Sequence, residues 1–161
     1  MPLVWYSSGM IRWIMIVLIA VSSFGCNVRK PVAQYNKMTV TQSTSEAIAL
    51  AVEFEVFNTN DEPLKLMMYE YTVNVHGATC YRGLASAEQT VPRWSSTMQT
   101  IPVVIRRDVL DGQDVIAWSL HGSLGYIPTK EVSITLLEAN IWKPTTTVRA
   151  NGLLELPEIA N

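Results

Sequence analysis

The chain has 161 residues, with 14 acidic against 12 basic side chains, a formal net charge of −2 and 48% hydrophobic residues. Acidic and basic residues are mixed without a run of like charge, which excludes a polyanion such as nucleic acid as the natural partner. With only 16% charged residues the composition also excludes a disordered hydrophilic protectant, because so apolar a chain folds to bury its surface.

The first element in chain order is an N-terminal leader. Arg12 supplies a positive charge, Ile14 to Val21 form an apolar run, and Ser22-Ser23-Phe24-Gly25 lead to Cys26. A bilayer core takes roughly 20 apolar residues, whereas the apolar stretch of a secretory signal has about 7 to 15, so this run has the secretory length. Gly25-Cys26 resembles the end of the bacterial lipoprotein lipobox, in which the cysteine receives a diacylglyceryl group before the leader is cut. Ser23 departs from that motif, which usually has Leu there. The resemblance implies that residues 1–25 are a signal peptide, that Cys26 is the lipid attachment site, and that the mature protein is anchored in the cell envelope, facing the periplasm or the exterior. An ordinary cleaved secretory peptide and an uncleaved anchor are the alternatives. Met1 to Gly9 contain no Lys or Arg, so Met10 is a second candidate start. Removal of the leader leaves about 135 residues, the size of one domain.

Cys26 and Cys80 are the only cysteines. If Cys26 is acylated, Cys80 is a lone thiol of the kind usually buried as a small hydrophobe. The opposing reading is a Cys26–Cys80 disulfide in a compartment that permits one.

Asn27 to about Gln42 is polar and reads as a tether (residues 26–42), with the folded domain at 43–161. Leu50, Val52, Phe54 and Val56 alternate with Ala51, Glu53, Glu55 and Phe57, the period of two of a half-buried strand. Asn58-Thr59-Asn60-Asp61-Glu62-Pro63 interrupts it with turn formers. Tyr69, Tyr71, Val73 and Val75 form a second alternating set ending at Gly77, and Thr79 to Ser86 a third strand. Val91 to Ser96 reads as a loop. Thr97 to Arg106 is extended again, with Met98 and Val104 as its apolar positions and Pro102 placing it at an edge or a bulge. Asp108 to Gly112 is a brief helical turn. Ile116, Trp118 and Leu120 make a strand, with Gly122 and Gly125 bending the chain before Tyr126; Val132, Ile134 and Leu136 make another, and Thr145 to Leu156 the last. About seven short strands with polar turns and little helical periodicity predict an all-β, antiparallel β-sandwich.

Several segments together resemble the late embryogenesis abundant (LEA) type 2 proteins and their water stress and hypersensitive response (WHy) domain. A strand running into Asn-Pro-Asn and then a Pro-Leu pair is the family's hallmark; Val56-Phe57-Asn58-Thr59-Asn60-Asp61-Glu62-Pro63-Leu64 follows it, with Thr59 in place of the usual Pro. Tyr71 to Gly77 resembles the second strand of the family, and Arg82-Gly83 falls where a glycine ends the third. Val91-Pro92 through Ile101-Pro102-Val103 is similar to the polar segment leading into an apolar strand, and Trp118 to Leu124 to a strand ending in Gly. The resemblance spans about Thr41 to Pro157. It implies an immunoglobulin-like or fibronectin-like sandwich, a structural turn motif at Asn58, Asn60 and Pro63, and a stress-protective or binding role in desiccation without catalysis. Asn side chains bond to nearby backbone and tolerate left-handed conformations, so Asn58 and Asn60 suit a tight connection.

Candidates for chemistry are sparse. His76 and His121 could share a metal if their strands were neighbours, yet a zinc site takes three or four ligands and no clustered partner is evident. Ser95, Ser96, Ser119 and Ser123 have no nucleophile elbow around them, and Asp108, Asp111 and Asp114 lack the glycine and terminal Glu of a calcium loop. No metal, cofactor or small-molecule substrate is indicated. Among the aromatics, Trp118 is expected in the core, while Trp94 and Trp142, each beside a proline loop, are expected as partner contacts. A second function class is an accessory subunit of an envelope assembly that docks through a sandwich edge, with Pro102, Glu53 and Glu55 blunting unwanted pairing.

Overall fold

The computed structural model describes residues 28–110, 112, 115–128 and 131–156. The leader and Cys26 lie outside them. Among the described residues eight strands form in chain order: β1 (Val32–Ser43), β2 (Ala47–Asn58), β3 (Leu64–Val75), β4 (Ala78–Ser86), β5 (Thr90–Val91), β6 (Ser95–Arg106), β7 (Val115–Pro128) and β8 (Thr145–Glu155). A 3-10 turn, Arg107–Val109, follows β6 where the brief helical turn is expected, and one α-helix, α1 (Glu131–Glu138), lies between β7 and β8.

Two antiparallel sheets face each other, one ordered β1-β2-β6 and the other β4-β3-β7-β8, with β5 also pairing β3. The expected all-β sandwich is therefore the fold. Its core follows from alternation. β2 buries Ile48, Leu50, Val52, Phe54 and Val56, and β7 buries Ile116, Trp118, Leu120, Leu124 and Tyr126. β3 starts inward with Leu64 and Leu66, then shifts register between Leu66 and Tyr69, so that Tyr69, Tyr71, Val73 and Val75 continue the inward row. A two-residue turn with positive φ at His76 (48°) and Gly77 (83°) joins β3 to β4, the backbone shape that matches strand twist in a tight hairpin.

Tyr71 ties the sheets together on one side. Gly83 on β4 and Gly122 on β7 both pair with it, and a Cβ on Gly83 would sit 2.7 Å from the Tyr71 hydroxyl oxygen while one on Gly122 would sit 2.8 Å from Tyr71 Cβ. The room left by the two glycines lets the ring lie across the sheet, and its hydroxyl donates to the Pro102 carbonyl on β6. On the other side, Thr146 Oγ1 on β8 donates to the Pro31 carbonyl just before β1, at 2.7 Å.

Five expectations change. Residues 32–42, read as tether, belong to the strand Val32–Ser43; its Tyr35 ring packs edge-on against Phe54 (6.1 Å) and Trp118 (5.8 Å), so a polar-looking segment closes the core. On β6 the inward residues are Gln99, Ile101, Val103 and Ile105, while Met98 and Val104 face outward. Pro102 does lie on an edge strand, but Glu53 and Glu55 lie on β2, which is paired on both sides, and so guard no edge. Val132, Ile134 and Leu136 belong to α1; β7 is paired by β3 on one edge and by β8 on the other, so this segment crosses between β7 and β8 without joining the sheet. Gly83 and Gly122 lie within strands rather than ending them, and Gly125, expected to bend the chain, lies within β7 as well.

Candidate functional site

Asn58 is the last residue of β2 and continues the inward row of Phe54 and Val56, which puts a polar amide at the end of the core. A buried amide is costly unless its groups are bonded. Asn58 Nδ2 donates to the carbonyls of Glu62 (2.7 Å), Val91 (3.2 Å) and Pro92 (3.1 Å), and Asn58 Oδ1 accepts from the backbone N–H and the Nδ2 of Asn60, both at 2.9 Å. Asn60, also buried, accepts the Arg29 N–H on Oδ1 (2.7 Å) and donates from Nδ2 to the Arg29 carbonyl (2.9 Å). The Asn60 carbonyl in turn accepts the Trp94 N–H at 3.2 Å. The two side chains thus join the chain entering β1, the β2–β3 connection and the β5–β6 connection. Neither asparagine has positive φ, so the left-handed tolerance expected of them is unused; that conformation falls to Trp94, with φ 51°. Pro63 immediately precedes β3.

Trp94 is 65% exposed and lines a shallow groove of about 280 Å³ with Phe57, Asn58, Thr59, Ser95 and Ser96. Ser96 Oγ donates to Glu55 Oε1 at 2.6 Å, and Ser95 Oγ to the Ser96 carbonyl at 3.4 Å, so both hydroxyls have ordinary structural partners. Trp142 is half-buried after α1, its backbone N–H donating to the Leu136 carbonyl at 3.2 Å. Trp118 is in the core.

The structure does not gather the other candidates. His76 lies in the β3–β4 turn, its N–H bonded to the Ala117 carbonyl, while His121 is on the outer face opposite Thr72. Four strand positions separate Ala117 from His121, about 13 Å at the usual rise, too far for one metal ion. No hydrogen bond links His121 to Ser119 or Ser123 among the described residues. Asp108 pairs with Arg106 at the surface, and Asp111 and Asp114 lie outside the described residues. Among the described residues no three of His, Cys, Asp and Glu are grouped to hold a metal, and no helix is long and apolar enough to cross a membrane.

Burial dominates the titrations. It pushes the Cys80 thiol up, and Cys80 Sγ lies 3.3 Å from the Val73 carbonyl. Burial also raises the Tyr69, Tyr35 and Tyr126 phenols, and Tyr71 is raised by burial and then by neighbouring Tyr81. The Tyr69 hydroxyl is buried and has no partner among the described residues.

Sequence reasoning overlooked Arg29 and the Gln89–Gln99 pair. Arg29 joins the site through its backbone, which any residue type supplies and no motif marks. Gln99 had a signal, since it shares the odd-numbered row with Ile101, Val103 and Ile105; its Nε2 donates to Gln89 Oε1.

Comparison with known proteins bears on the fold. No family model matches the chain, and no curated protein matches it in sequence. Its structure is similar to the solution structure of a protein from Arabidopsis thaliana, with a TM-score of 0.60 at 15% identity over 83% of this chain and 87% of that one. It is equally similar to the solution structure of a candidate LEA protein from the same plant, with a TM-score of 0.60 at 15% identity over 92% of this chain and 84% of the other. The protein therefore has an LEA-like β-sandwich fold.

Proposed function

We propose that this is a membrane-anchored lipoprotein of the cell envelope, related to the LEA type 2 and WHy proteins, which acts by binding or stabilising envelope components and performs no chemistry. The observation that carries the reading is the Asn58–Asn60 cluster within an LEA-like sandwich: the residues that match the family's turn motif are committed to holding three segments of the fold together. The leader motif ending in Gly25-Cys26 supports attachment of the mature chain to a membrane through Cys26. Two or more acyl chains are needed for stable anchoring, and a lipidated N-terminal cysteine carries that many.

The test is protection under drying. Phospholipid vesicles loaded with a self-quenching dye are dried and rehydrated with the lipidated protein, or with an equal mass of serum albumin. The reading predicts less leakage with the protein than with albumin; equal leakage, together with an equal loss of activity of a labile enzyme dried beside it, contradicts the protective role.

A further inference from the structure

The strand ends place several exposed apolar side chains beside the point where the chain enters the fold. Leu64, at the start of β3, pairs with Val91 on one side and Pro128 on the other, so the Val91–Trp94 connection and the β7–β8 connection share one end of the sandwich. The Tyr126 N–H donates to the Pro144 carbonyl, and Thr146 reaches Pro31, which fixes the β7–β8 connection to that end. Trp94 is 65% exposed there and Ile141 73%. Exposed Arg29, Lys30, Arg93 and Lys143 accompany them, and Glu55, Asp61, Glu62 and Glu138 are acidic groups nearby among the described residues. The opposite end carries the polar Thr44-Ser45-Glu46 connection and the His76-Gly77 turn.

Cys26 precedes Val28 by two residues, a reach of at most about 7 Å between α-carbons. Arg29 is held on both its backbone groups by Asn60, and Asn60 holds the Trp94 backbone. A lipid on Cys26 therefore keeps this end close to the headgroups. Indole rings favour that layer because one edge is polar and the body apolar, and cationic side chains beside them meet lipid phosphates.

We infer that this end of the sandwich is a membrane-apposed face, with Trp94 inserted among the headgroups of the bilayer that holds the Cys26 acyl chains. The inference rests on the proposed anchor. It gives the asparagine cluster a mechanical role, since the cluster transmits the position of the anchor to the orientation of the domain.

The test uses the mature protein purified from its native membranes and reconstituted into phosphatidylethanolamine–phosphatidylglycerol vesicles with or without brominated acyl chains. A chain beginning at Cys26 retains Trp94, Trp118 and Trp142, and Trp118 is buried. Brominated lipid is expected to quench the emission of the wild type, and Trp94→Phe is expected to lose most of that quenching while keeping the wild-type circular dichroism. Equal quenching in Trp94→Phe and wild type, or none in either, overturns the orientation. If intact mass then gives a diacylglyceryl Cys26, the anchor stands and only the orientation fails; an unlipidated mass removes both.

Discussion

Asn58 occupies a position where the alternation of β2 calls for an apolar side chain, and its amide answers three carbonyls that the strand ends leave facing inward. Replacing it with Ala removes those three bonds and takes the acceptor from the Asn60 backbone N–H at once. With each buried polar group left unbonded costing roughly 1 to 3 kcal/mol, Asn58→Ala is expected to lose about 3 kcal/mol or more in urea unfolding. Tyr69→Phe goes the other way: its hydroxyl is buried without a partner among the described residues, so removing it is expected to raise stability by about 1 kcal/mol. The raised phenols set an alkaline limit. In the unfolded chain they ionise near 10.0, whereas the folded state keeps its protons to higher pH. Above pH 10 the unfolded state therefore binds fewer protons, and stability falls as pH rises. Thermal melts should be flat with respect to these groups below pH 10 and drop above it, with a shallower drop in Tyr69→Phe. Cys80, half-buried with its pKa raised, should resist maleimide at neutral pH until denaturant is added.

At the scale of elements, what was legible depended on whether burial alone set the pattern. β2, β3 and β7 have one face packed and one face wet, and their alternation placed them without a structure. β1 did not read as a strand because it is an edge with register shifts at Tyr35/Lys37 and Val40/Gln42, and it buries few side chains. Its contribution lies in Tyr35 over Phe54 and Trp118, so a chain beginning at Thr44 is expected to be insoluble or to bind hydrophobic dyes, where a tether would be dispensable. The Lys37–Glu53 ion pair on the outer face is largely exposed, and Lys37→Ala should change stability by less than about 1 kcal/mol. For α1 the missed signal was at its end. Asn140 has φ 59°, its N–H bonds the Leu137 carbonyl and the Ile141 N–H bonds the Leu136 carbonyl, a left-handed helix cap for which Asn is a known alternative to Gly. In the candidate site, the Asn-X-Asn turn was visible from residue types. The partners contributed by Arg29, Val91 and Pro92 were not, because backbone groups from about 30 residues away leave no local mark.

For the whole molecule, the sandwich gives a rigid body whose two sheets are joined through Tyr71 to Pro102 on one side and Thr146 to Pro31 on the other. The anchor reading adds a direction to that body, since the chain enters at the end that carries the asparagine cluster and Trp94. A domain held at one end to a membrane leaves the β1, β4, β6 and β8 edges and the opposite turns available to envelope components. The anchoring and the orientation depend on the state of Cys26. The most direct measurement is the intact mass of the mature protein extracted from the membranes of its native cell. The account predicts a chain beginning at Cys26 that carries a diacylglyceryl group, with or without a further acyl chain; an unlipidated mass two hydrogens below the reduced chain would contradict it and indicate a Cys26–Cys80 disulfide.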